Sequence, residues 1–134
     1  MSNNDDFQIT ENDDISVINT SQNAQRTMKL TVMDDYFLNK QDKIKFAVAV
    51  AIKAHLKPRK IAAEEREGGQ QKDQIDPKGE LMALVKRYKN TNVPYRFAQG
   101  LAESGFAFIS EMASKGWLLD DFLADEYPKV SGES

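Results

Sequence analysis

Two apolar runs, Ile44 to Leu56 and Phe97 to Ile109, are too densely apolar to lie on a surface with one side in water. A one-sided helix carries an apolar stripe roughly 100° wide with polar residues opposite it. In the first run Ile44, Val48, Ala51 and Ile52 form such a stripe, Phe46, Ala47, Val50 and Ala54 widen it, and only the side of Lys43, Lys53 and Lys57 reads as wet. Alanines at 47, 49, 51 and 54 favour helix over strand and let a neighbouring backbone come close. The second run contains Gly100 and Gly105, each costing on the order of 1 kcal/mol against alanine inside a helix. Either these glycines admit a closely packed neighbour or the helix breaks at Ser104-Gly105. Both outcomes make the fold mainly α, a compact helical domain.

Local signals divide the rest of the chain. Asn39 is placed to cap a helix from Lys40 to Leu56, ended by Pro58. Asp76-Pro77 predicts a second helix start, and Leu81, Leu84, Val85 and Tyr88 continue it at helical spacing to the turn Asn90-Thr91-Asn92. Val93-Pro94 opens the long apolar helix. Gly116 is placed for a left-handed cap, and Trp117, Leu118, Leu119, Phe122 and Leu123 predict a short closing helix. Met28, Leu30 and Val32 alternate with Lys29 and Thr31, which predicts a short N-terminal β-strand or ribbon. It needs a partner in Ile15–Ile18, elsewhere in the chain, or in a second copy.

At 134 residues one domain is expected. Residues 1–26, with Asp5, Asp6, Asp13 and Asp14 and few apolar groups, read as a disordered acidic tail. Residues 27–124 form the domain, with a mobile connector over about 59–75 around Gly68-Gly69, and 125–134 a flexible tail.

Composition excludes several chemistries. Without cysteine there are no disulfides or thiolate ligands, and with no secretory signal and no apolar run of ~20 residues the expected place is the cytoplasm, with no membrane contact. His55 is the single histidine and reads as a residue of a helix C-terminal turn stabilised by the helix dipole. Asp120-Asp121 and Glu64-Glu65 are adjacent carboxylates pointing about 100° apart on a helix, and Glu103 and Glu111 read as solvated. Phosphate-loop, dinucleotide and metal-site spacings do not occur. The expectation is a non-enzymatic protein with no catalytic residue, no metal, no cofactor and no evident small-molecule substrate.

Charge is uneven. Residues 40–60 hold seven Lys or Arg against one acid, and 95–134 hold three against seven. Lys53, Lys57, Arg59 and Lys60 form the densest basic patch and are the candidate contact for a phosphate or a partner. A strand ahead of a helix also invites comparison with ribbon-helix-helix regulators, whose paired strands enter the major groove, so DNA binding is the alternative reading. Trp117 and Phe122 are the candidate partner-facing apolar residues. A protein partner or a homo-oligomer is the leading expectation.

The stretch from Phe37-Leu38-Asn39-Lys40-Gln41-Asp42 to Phe46-Ala47-Val48-Ala49, together with Arg96-Phe97-Ala98-Gln99-Gly100 to Phe106-Ala107-Phe108-Ile109, resembles small bacterial proteins associated with DNA-phosphorothioation systems. The resemblance spans about Met28 to Leu123. It implies an accessory component of a DNA-modification or phage-defence locus and brings no catalytic residues with it.

Overall fold

The structure, a computed structural model, describes residues 14–123. In chain order it contains strand β1 (Val17–Ser21), helices α1 (Gln22–Met28), α2 (Thr31–Asp34) and α3 (Lys40–Lys53), a 3-10 turn (Ala63–Glu65), strand β2 (Arg66–Gln71), and helices α4 (Lys72–Ile75), α5 (Glu80–Tyr88), α6 (Pro94–Ser114) and α7 (Leu119–Leu123). The fold is mainly helical, with one short antiparallel pair, β1 against β2.

α3 and α6 are the two apolar runs, and they are the most extensively packed pair in the domain. Ile44, Ala47, Val48 and Ala51 of α3 and Leu101 and Ile109 of α6 have no exposed surface. α6 runs unbroken through both glycines. A Cβ built on Gly105 would lie 2.0 Å from the carbonyl oxygen of Ala47 and 2.7 Å from its carbonyl carbon, so the glycine is where the two backbones meet.

α3 begins at Asn39, whose side chain accepts from the Asp42 N–H at 2.8 Å, as its sequence predicts. It stops at Lys53. The Leu56 N–H donates to the Ala51 carbonyl and the His55 N–H to that of Ile52, the double bond pattern of a Schellman cap. His55 occupies the left-handed position, φ 59°, which usually falls to glycine. It is exposed and lies just beyond the helix rather than within its last turn. Left-handed backbone costs a side-chain-bearing residue about 1 kcal/mol, so His55→Gly should raise stability by about that much, read as a Tm increase of about 3 °C.

Four expectations are corrected. Met28–Val32 is not a strand: α1 ends at Met28 and α2 starts at Thr31. Met28 and Val32 are four apart as well as alternating, and Ser21, accepting from the Ala24 N–H at 3.1 Å, caps α1 and sets the helical solution. The strand is instead Val17–Ser21, so residues 14–26 belong to the fold, while 1–13 and the expected tail 125–134 lie outside the described residues. Asp14 caps α6, its carboxylate accepting from the N–H groups of Tyr95 and Arg96 at 2.8 Å each. The connector 59–75 holds the partner strand β2. Gly68 lets it lie flat there, since a Cβ would come within 2.7 Å of Gln25 Nε2. Finally, Lys43 is buried, its ammonium donating to the Met28 carbonyl and to Asp34 Oδ1, both at 2.8 Å, so it closes the end of α1.

Candidate interaction site

Beyond the Schellman cap, residues 56–60 lie as a strap across α6. The Arg59 N–H donates to the Gly100 carbonyl at 2.9 Å, and the Ser104 hydroxyl donates to the Lys57 carbonyl. Small residues on this face of α6 let the strap backbone approach the helix backbone. On one side of the strap is a cleft of about 800 Å³ lined by Ser21, Arg26, Arg59, Lys60, Glu103 and Glu111 among others. On the other is a cleft of about 550 Å³ lined by Lys57, Arg59, Lys60, Ala107, Phe108 and Met112 among others.

The predicted basic group is thus partly assembled. Lys57, Arg59 and Lys60 are exposed; Arg59 and Lys60 line both clefts and Lys57 the second alone, whereas Lys53, on α3, lines neither. Arg26, from α1, joins them. The sequence offered no sign of that, because Arg26 and Arg59 meet only through folding.

Glu103 is the second missed residue. Read as solvated, it is 7% exposed in the middle of α6. Its two oxygens accept from the Ser21 N–H at 3.0 Å and the Ser21 hydroxyl at 2.5 Å, while Gln99, one helical turn earlier, accepts from the Asn19 N–H at 2.8 Å. Alternate N–H groups along a strand are ~6.6 Å apart and residues four apart on a helix rise ~6 Å, so two side chains of α6 replace the strand that would otherwise close this edge of β1. Burial pushes the Glu103 carboxyl above its usual range. The Ser21 bonds and the Arg59 charge act against this, and Glu65 acts with it.

Asp76, predicted as a helix cap, acts from outside the helix. A turn at 77–79 intervenes, and the carboxylate still accepts from the N–H groups of Leu81 (2.8 Å) and Met82 (3.0 Å) and from the Tyr95 hydroxyl (2.7 Å). Burial would raise its pKa, but these bonds and the Lys45 charge outweigh it and hold the group below its usual value. The adjacent carboxylates do not converge on a common point. Asp121 is turned to the Leu118 N–H at 2.8 Å, and Glu64 and Glu65 are exposed in the 3-10 turn. Among the described residues no group of three His, Asp or Glu side chains is disposed to hold a metal ion. No described helix is long and apolar enough to cross a membrane.

Phe122 is not offered outward. It is 5% exposed and packs against Phe46, Phe108 and Trp117, with ring centroids 6.3, 6.3 and 5.6 Å away. Closing this core is its structural role, because its ring meets Phe46 of α3 and Phe108 of α6. Trp117 is half-buried in the same cluster, which Phe37 joins at 5.1 Å from Phe46.

No protein-family model matches this chain, and no curated protein or solved structure matches it. The resemblance to phosphorothioation-associated proteins is therefore without a matching family.

Proposed function

We propose that this chain is a non-enzymatic interaction component that binds an acidic, extended segment of a protein partner across the strap at residues 56–60. The observation that carries the reading is the placement of Lys57, Arg59 and Lys60 on one ridge between two clefts, with Arg26 facing the same ridge. An extended segment crossing the strap would lay carboxylates on these cations and apolar side chains against Ala107, Phe108 and Met112. Such a site combines charge steering with apolar contact, the mixture that gives peptide recognition both rate and hold. The accessory role in a DNA-modification locus implied by the resemblance takes no part in this proposal.

DNA is the second reading, since the same cations suit phosphates. The major-groove ribbon has lost its basis, because Met28–Val32 is helical. What remains is nonspecific phosphate contact.

Fluorescence anisotropy separates the two, using a labelled twelve-residue peptide alternating Glu with Leu and Phe and a labelled duplex. The peptide should bind, and Arg59→Glu with Lys60→Glu should weaken it by about tenfold or more. Binding of the duplex alone, falling steeply between about 50 and 200 mM salt, would transfer the site to nucleic acid.

A further inference from the structure

The chain leaves the described structure beside one of the two clefts. Phe122 packs against Phe108 with ring centroids 6.3 Å apart, and Phe108 also lines the cleft of about 550 Å³. Ser104, which bonds the Lys57 carbonyl, lies one helical turn before Phe108 on α6, so the strap is ~6 Å away along the axis. Residues 124–127, which lie outside the described residues, read Ala-Asp-Glu-Tyr. At ~3.3 Å per residue an extended chain brings Asp125 ~10 Å and Glu126 ~13 Å beyond Phe122, enough to reach the strap. Tyr127 stands before Pro128, a position that disfavours helix and favours extended backbone.

Charge names the occupant. Among the described residues that line it, this cleft sets Lys57, Arg59 and Lys60 against a single acid, Glu111, and Glu111 is paired with Lys115 at 3.5 Å. Among the described residues no carboxylate forms an ion pair with Lys57, Arg59 or Lys60. The cleft therefore presents three cations beside Phe108 and Met112 without the carboxylates to balance them. Asp125, Glu126 and Tyr127 bring two carboxylates and an aromatic ring within reach. Tethering adds to this, because a segment on a short linker meets its site at an effective concentration in the millimolar range.

We propose that residues 124–127 of the same chain occupy this cleft, with Asp125 and Glu126 against Lys57, Arg59 and Lys60, and cover the strap until a partner displaces them. The inference rests on the reading of the strap as a site for an acidic, extended segment and adds its regulation: the chain carries its own competitor. A partner binds only as the segment leaves, so its apparent affinity is reduced by the fraction of molecules whose strap is uncovered.

Carbodiimide coupling, which joins a carboxylate to an amine in direct contact, tests the docking on the full chain without any peptide. Mass spectrometry should find Asp125 or Glu126 coupled to Lys57 or Lys60, and within one chain when isotope-labelled and unlabelled copies are mixed. The Glu111–Lys115 pair, 3.5 Å apart, is the internal standard. Asp125→Lys with Glu126→Lys should abolish the coupling, and adding Lys57→Glu with Lys60→Glu should restore it with the partners exchanged. In anisotropy the Asp125→Lys, Glu126→Lys protein should bind the acidic peptide about threefold or more tighter than the native chain does. Absence of the coupling overturns the inference. Coupling only between copies also overturns it, by giving the cleft to a second copy, as does coupling of Lys57 and Lys60 to Glu11 or Asp13 instead, by giving it to the segment ahead of Asp14. Coupling with unchanged peptide affinity overturns the competition. A peptide that binds neither protein, with the coupling in place, removes the strap reading and leaves the docking of residues 124–127 standing.

Discussion

Replacing Gly105 with alanine should destabilise the chain by about 3 kcal/mol, lowering Tm by about 10 °C. Alanine is the better helix former, and in a helix free of neighbours the exchange would gain about 1 kcal/mol. Here the new methyl would stand 2.0 Å from the Ala47 carbonyl oxygen, far inside any real contact, and the obstruction is main chain. A side chain can turn away from such a clash, but a backbone carbonyl that already serves its own helix cannot. α3 and α6 would have to separate along their whole interface, loosening Ile44, Val48, Leu101 and Ile109 together. The cost therefore falls at the upper end of the overpacking range. Because the clash is with backbone, Ala47→Gly should fail to rescue Gly105→Ala. Thermal unfolding followed by circular dichroism tests both, and a neutral Gly105→Ala would mean that the helices do not meet there.

That helix pair was legible because its signal is local and repetitive. Apolar density along Ile44–Leu56 and Phe97–Ile109, the Asn39 cap and the paired small residues all speak for helices in contact, and the alternative of a break at Ser104-Gly105 gave way to close packing. What the sequence concealed depends on partners distant in the chain. β2 is Arg-Glu-Gly-Gly-Gln-Gln, a composition that signals a loop, and it becomes a strand only because Val17–Ser21 lies beside it. Lys43 on a helix looks like any solvated lysine until Met28 and Asp34 are brought over it. The strap cations showed as a run of charge, but the clefts beside them and Arg26 opposite are products of tertiary packing. Phe122 shows the converse: an aromatic near a chain end is as well suited to closing a core as to meeting a partner, and here it does the first.

Glu103→Leu should cost about 3 kcal/mol, although it removes a buried carboxylate and substitutes a side chain suited to a core. The loss comes from the partners left behind. The Ser21 N–H and hydroxyl would face an apolar surface with no acceptor in reach, and Ser21 also caps α1 through the Ala24 N–H. Amide exchange at Asn19 and Ser21 should accelerate with the loss, since among the described residues Gln99 and Glu103 of α6 hold this edge of β1. Glu103→Gln keeps an acceptor for the Ser21 N–H and should cost about 1 kcal/mol, which leaves it suited to reveal the pH dependence. In the native protein burial raises the Glu103 pKa above its ordinary 4.5, so the folded state takes up this proton before the unfolded chain does. The native chain should therefore gain stability over Glu103→Gln as pH falls through the raised folded value, and the gain should be complete below about 4.5, where the unfolded chain is protonated as well. Asp76 contributes in the opposite sense, its lowered pKa giving stability that is present above 3.8 and lost as pH falls further, but it is common to both proteins and cancels in their difference. Urea unfolding of the two proteins at pH 8, 6 and 4.5 measures that difference. A gap independent of pH would show that the Ser21 bonds and the Arg59 charge cancel the effect of burial on this carboxyl.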